Sequence, residues 1–166
     1  MFIASLAAFI LGQTSEAKVI DLKDGFVRVE TKEYSFEVPK GWEVGSQTPW
    51  GARDLTPDKG AGSMGAMTAP PSTQSWDRLY QTSLYFIMRE KPGKATPYVL
   101  GKVPQGYETM SFQVADPDGF ASRRYVILKA KTNQVLALSV KIPGKGEEKK
   151  FTVIFDRMIK SAKIGS

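Results

Sequence analysis

The residue types that most often carry out chemistry are partly missing from this chain. Its 166 residues include no histidine and no cysteine. That excludes histidine general bases and imidazole metal ligands, together with thiol nucleophiles, thiolate metal sites and disulfides. Carboxylates, hydroxyls, lysines and arginines remain. Asp54 and Asp58 could serve a hydrolase as acid and base, but two acids on one loop lack the fixed separation that glycoside cleavage requires. A serine–lysine pair would need its members one helical turn apart, whereas Lys160 and Ser161 are neighbours on divergent faces. Asp116-Pro-Asp-Gly119 has the spacing of a tight turn and lacks the distal glutamate of a calcium loop. Gly60-Ala-Gly-Ser-Met-Gly65 neither ends in Gly-Lys-Ser/Thr nor opens a helix, so it reads as a flexible loop and not a phosphate cradle. Arg123 and Arg124 lie in a strand and point to opposite faces, so they cannot clamp one anion. No catalytic residue, metal or cofactor is expected.

Binding offers one candidate. Pro49-Trp-Gly-Ala-Arg53 puts Trp50 beside Arg53, with Lys59 following in the same irregular stretch. An aromatic flanked by cations can meet an acidic or aromatic surface. The alternative is a mobile crossover whose tryptophan packs over a sheet. Trp42 and Trp76 read as core residues.

The 23 basic and 17 acidic residues give a net charge of +6. The charges are scattered, and the densest run, Lys145-Gly-Glu-Glu-Lys-Lys150, is mixed in sign and reads as a solvated helix start. Nucleic acid would want a one-sided basic stripe with stacking aromatics, so no nucleic-acid partner is expected. The first eleven residues, Met1 to Leu11, form an uncharged apolar run too short to span a bilayer, which takes about 20 residues. Gly12 breaks the run. Ser15-Glu-Ala17 then puts small residues where a signal peptidase reads, predicting cleavage before Lys18 and no membrane span afterwards. The alternative is a buried first strand or helix. Cleavage removes one acid, Glu16, and no base, leaving +7.

The elements that would position these residues follow from periodicity. Val19–Leu22 and Phe26–Glu30 are short alternating runs joined by Asp24-Gly25, a hairpin signal. Tyr34, Phe36 and Val38 alternate with polar residues up to Pro39, and Gly41-Trp-Glu-Val44 resumes. Gly45 to Thr73 is loop-like, with 52–55 and 64–69 as short strand candidates. Ser75 is a helix cap, and Trp76, Leu79, Tyr80, Ser83, Leu84, Ile87 and Met88 share one helical face before Pro92-Gly93. Three strands are predicted over 107–115, 120–131 and 134–143, with turns at Pro117-Asp-Gly119 and Thr132-Asn133. Val135–Val140 has the continuous apolar character of a strand covered on both faces. The second helix is predicted over 147–161, with Phe151, Ile154, Phe155, Met158, Ile159 and Ala162 as its stripe. Strands, helix, strands, helix make an α+β domain over 18–166, an antiparallel sheet flanked by two helices.

Tyr34-Ser-Phe-Glu-Val-Pro-Lys-Gly-Trp42 resembles the strand–Pro–x–Gly-Trp opening of the PsbP-like family, which includes the extrinsic photosystem II protein PsbP and the Ran-binding Mog protein. Phe151 to Ile164, with its Phe-x-x-Ile-Phe spacing after an apolar strand, resembles that family's ending. The resemblance implies an α/β/α sandwich and an accessory or binding role. It carries no metal site, because the histidines of some members have no counterpart here. The expectation is a secreted or periplasmic non-catalytic binding or accessory module, contacting a protein or envelope partner through its surface. A carboxylate hydrolase using Asp54 and Asp58 is the runner-up.

Overall fold

Period-two alternation builds most of this molecule, with two amphipathic helices closing what the strands leave open. The computed structural model describes residues 16–48, 51–69, 71–90, 92–116, 122–144 and 146–165. The apolar run of the expected leader, the Pro117-Asp-Gly119 turn, and Trp50 lie outside the described residues. The chain runs through β1 (Lys18–Asp21), β2 (Phe26–Glu30), β3 (Tyr34–Pro39), β4 (Glu43–Val44), β5 (Ala52–Thr56), β6 (Ser63–Ala69), α1 (Trp76–Glu90), β7 (Lys94–Ala95), β8 (Val99–Lys102), β9 (Glu108–Ala115), β10 (Ser122–Lys129), β11 (Val135–Ile142), α2 (Glu148–Ser161) and β12 (Lys163–Ile164). One sheet has eight strands in the order β4-β5-β6-β11-β10-β9, with β7 and β8 sharing the outer edge of β9; the other is β1-β2-β3-β12. Every pairing is antiparallel. This is the expected α+β class.

Alternation divides the large sheet into two faces. Met110, Phe112 and Val114 of β9, Ile127 of β10 and Val135 of β11 turn one way and pack under Trp76, Leu79, Tyr80, Leu84, Ile87 and Met88 of α1. Those are the α1 residues the 3.6-residue period selects. Ser75 caps the helix as expected, its Oγ accepting the Arg78 amide at 3.3 Å. The opposite face presents Leu55, Met64, Ala66, Leu128, Leu136, Leu138 and Val140. Over it lie Phe151, Ile154, Phe155 and Met158 of α2 and the inner face of the small sheet, Val27, Val29, Phe36 and Val38. Ile159, expected in the stripe, is half-buried at its margin. Trp42 and Trp76 are half-buried against these two cores, Trp42 packing on Phe151 at 6.1 Å between ring centroids. At the β10–β11 turn Asn133 adopts φ 64°, which asparagine tolerates better than most residues.

The structure departs from expectation in three places. Within the loop-like stretch from Gly45 to Thr73 the two strand candidates are borne out as β5 and β6, but as inner strands of the large sheet. Short candidates became full ladder members because Leu55, Met64 and Ala66 are buried between the layers. Apart from Met67, their outward neighbours are small or polar, which blurs the pattern. The segment before β9 contains β7 and β8. Finally, the first three strands and β12 form a separate sheet instead of extending the large one. Among the described residues no helix is long and apolar enough to cross a membrane.

Candidate binding surface

Of the three contact residues the sequence offered, Trp50 lies outside the described residues, and the other two differ in exposure, Arg53 buried and Lys59 exposed. Arg53 sits mid-strand in β5, where alternation turns it inward with Leu55, and it is 4% exposed. Its guanidinium donates to the Gly45 carbonyl across the β4–β5 hairpin and lies near the Tyr34 phenol. Burial pushes the Tyr34 phenol above its ordinary pKa, and the Arg53 contact pulls it back in part. Arg53 therefore ties strands together, and its charge does not reach the surface. Lys59 is exposed in the β5–β6 connection. Asp54 is exposed on the outer face of β5, opposite Gly65 in register, and Asp58 is exposed in the connection beyond. They are two solvated carboxylates, not a pair held in contrasting environments as acid–base chemistry needs. Arg123 and Arg124 point apart as expected: Arg123 lies 3.5 Å from the buried Asp116, and Arg124 donates to Thr152 of α2.

A shallow groove of about 570 Å³ runs along α2, lined by Glu37, Val153, Asp156, Arg157, Lys160 and Ser161. The spacing 153, 156, 157, 160, 161 is one stripe of a helix. Arg157 dominates it. Its guanidinium lies 3.7 Å from the centroid of the Phe26 ring. It donates to Asp24 at 2.6 Å and to Glu37 at 2.8 and 3.0 Å. Arg28 reaches the other Glu37 oxygen at 3.2 Å. Ser161 Oγ accepts the Glu37 amide at 2.9 Å and donates to the Arg157 carbonyl at 2.8 Å. The Arg157 hydrogen bond holds the Asp24 carboxyl below the usual carboxylate range, and Asp24 in turn raises Arg157. The charges at the centre of this groove are satisfied by one another. It is a clasp holding α2 to β2 and β3, and a ligand would have to break it.

The other side of the molecule is different. Tyr85 and Phe86 of α1 are 63% and 60% exposed, packed only edge-to-face on each other at 5.4 Å among the aromatic contacts. Val99 and Leu100 of β8 are 65% and 52% exposed. Beside them Tyr98 packs against Tyr80 of α1 at 5.1 Å, and its hydroxyl donates to Asp77 at 2.6 Å.

No protein-family model matches the sequence, and no curated protein sequence does either. Solved structures do. The 1.9 Å crystal structure of the Saccharomyces cerevisiae Ran-binding protein Mog1p matches with a TM-score of 0.55 at 12% identity, over 91% of this chain and 96% of that one. The solution structure of cyanobacterial PsbP (CyanoP) from Synechocystis sp. PCC 6803 matches with a TM-score of 0.58 at 13% identity, over 98% of each chain. The fold is PsbP-like. At such identity the likeness carries the fold alone, so the roles of residues rest on this chain's own geometry.

Within this PsbP-like fold, the exposed apolar residues of α1 and β8 are what sequence reasoning overlooked. A signal was present for α1. Trp76, Leu79, Tyr80, Ser83, Leu84, Ile87 and Met88 fill the inward face, which leaves two aromatics, Tyr85 and Phe86, with no inward position to occupy. For β8 there was less to read, since Pro97, Gly101 and Pro104 punctuate a run of only four strand residues.

Proposed function

We propose that this chain is an exported, non-catalytic binding or accessory module that works through surface contacts with a protein partner. The observation that carries the reading is the adjacent pair Tyr85 and Phe86, well over half exposed on the outer side of α1. Leaving such side chains in water forgoes roughly 1.5–3 kcal/mol for each large apolar group that could have been buried. Aromatic residues of this kind are enriched at the cores of protein interfaces and among the residues that dominate their energies. Mog1p, a protein of the same fold, is a Ran-binding protein, which supports protein contact as a use of this architecture. Lys59, exposed in the β5–β6 connection, is a second and separate contact proposal.

Export rests on the apolar run from Met1 to Leu11 and the Ser15-Glu-Ala17 sequence before Lys18. Lys18 is also the first residue of β1, so a cut there would leave every described strand whole.

Two measurements test the reading. N-terminal sequencing of protein from the extracytoplasmic fraction should begin at Lys18; an intact Met1 on protein kept in the cytoplasm overturns export. Capture of a partner from the native cell envelope should fall at least tenfold for the double variant Tyr85→Ser/Phe86→Ser with its melting temperature unchanged. Equal capture by variant and parent removes the aromatic pair from the account.

A further inference from the structure

With no cysteine in the chain, methionine carries all of its sulfur. Five methionines lie among the described residues, and the structure treats one of them differently. Met64, Met110 and Met158 are buried, and Met88 is half-buried where α1 packs on the large sheet. Met67 is 41% exposed. The cause lies in β6 and the strands beside it. Met64 and Ala66 turn inward, so Met67 stands on the outer face. In register its lateral neighbours are Ala52 of β5 and Ala137 of β11. Along β6 the next positions on the same face are Gly65 and Ala69. All four positions that surround it on that face are thus alanine or glycine, and none carries a side chain tall enough to cover a thioether. Among the described residues, Met67 is the only large apolar side chain of β5, β6, β9, β10 and β11 left exposed.

We infer that Met67 is a modification site, oxidised to the sulfoxide by a peroxide while the fold stays intact. A thioether has no proton to lose before it reacts, so access governs which methionine is oxidised. The sulfur lone pair attacks one peroxide oxygen. The S–O bond forms as the O–O bond breaks, and the departing hydroxide takes the proton of the transferred oxygen and leaves as water. Sulfur gives up two electrons and the peroxide accepts them. At Met67 the new oxygen stands on the solvent side of the sheet, where water can hydrogen-bond it, and the ladders from β6 to β5 and β11 are untouched. The same oxygen on Met64, Met110 or Met158 would be forced into an apolar core without a hydrogen-bond partner. Methionine sulfoxide is reduced by enzymes specific for each epimer, so the change is reversible. It turns the one large apolar group exposed on this face into a strongly polar one. The site is distinct from Tyr85 and Phe86, and the inference goes beyond the binding reading without depending on it.

Hydrogen peroxide is the probe. The folded protein is treated for increasing times, quenched, digested and read by tandem mass spectrometry, with Met64 and Met67 separated by their fragment ions. Sulfoxide at Met67 should form roughly tenfold faster, or more, than at any of the other four methionines. Protein oxidised at Met67 alone should keep the parent's melting temperature, and a mixture of both classes of sulfoxide reductase should return it to the parent's mass. Met67→Leu, a substitution that nearly conserves volume, should remove the fast phase and leave the four slow rates as they were. In concentrated urea all five should oxidise at similar rates, because the fold no longer shields any of them. Oxidation of another of the four as fast as Met67 in the folded protein overturns the inference. So does a preference for Met67 that persists in urea, which would assign it to local sequence and not to the fold. A melting temperature lowered by the single sulfoxide, or a sulfoxide that the reductases cannot remove, overturns it as well.

Discussion

Replacing Gly62 by alanine should be among the more damaging single-methyl additions to this protein, and the reason is local and separable. Gly62 precedes β6 at φ 99°, in the left-handed region where a side chain is strained. A Cβ there would stand 2.5 Å from Cζ and 2.9 Å from Cε1 of Phe151, and 3.1 Å from the Lys141 carbonyl oxygen. Phe151, on the inner face of α2, is buried in the core and has little room to withdraw. Gly60, two residues earlier, has φ 94° but nothing within 4 Å of its would-be Cβ. Gly60→Ala therefore measures the backbone cost alone, about 1–2 kcal/mol. Gly62→Ala adds the overpacking cost of roughly 1–3 kcal/mol, for a total near 2–5 kcal/mol. A chain of this size loses about 2–4 °C of melting temperature per kcal/mol. Thermal unfolding followed by circular dichroism should thus show a drop of roughly 2–8 °C for Gly60→Ala, and about 4–20 °C for Gly62→Ala. Adding Phe151→Leu to Gly62→Ala should cost less than the two single changes summed, because the ring that clashes is gone. Equal losses for Gly60→Ala and Gly62→Ala, or strict additivity with Phe151→Leu, would refute the packing argument. The glycines that suggested a phosphate loop would then need another explanation than the turn and the ring beneath it.

Phe155 is fully buried at the centre of the α2 core, so Phe155→Ala should cost about 3–5 kcal/mol. A urea midpoint unchanged within error would place the α2 stripe in solvent. The clasp around Arg157 has a pH signature. Its hydrogen bond lowers the folded-state pKa of Asp24, so its contribution is present above the unfolded carboxylate pKa of about 3.9 and is lost as pH falls through the folded value. The stability difference between the parent and Asp24→Asn should therefore favour the parent at pH 7 and shrink below about pH 4. A difference constant from pH 7 to pH 2 contradicts the assignment.

How much of this was legible in the sequence depends on side-chain size. Along β9, β10 and β11 large apolar residues alternate or run together, and both helices carry seven-residue or six-residue stripes, so the central sheet and its covers could be read directly. The strands β5 and β6 were legible only as short candidates, because Ala52, Gly65 and Ala66 carry almost no hydrophobic contrast, and their place inside the sheet is decided by the neighbours β11 and β4. The inward turn of Arg53 followed from alternation with Leu55, once 52–56 is a strand; treated as a loop residue, it looked like a surface cation. The division into two sheets was out of reach, since β3 pairs not with the adjacent β4 but with β12, two residues long and far away in sequence. Tyr85 and Phe86 were the legible part of the surface, as the remainder once the α1 stripe is filled.

Whether the α1 side of the molecule touches a protein decides between a binding module and another role. A photo-crosslinking residue placed at Phe86 in the native host, with a second version at Lys32 on the exposed β2–β3 turn as the control position, tests this directly. Binding through α1 predicts one discrete crosslinked protein from position 86, none from position 32, and loss of the product when Tyr85→Ser is added. Crosslinks of equal yield and pattern from both positions, or none from position 86 in folded, exported protein, would contradict it.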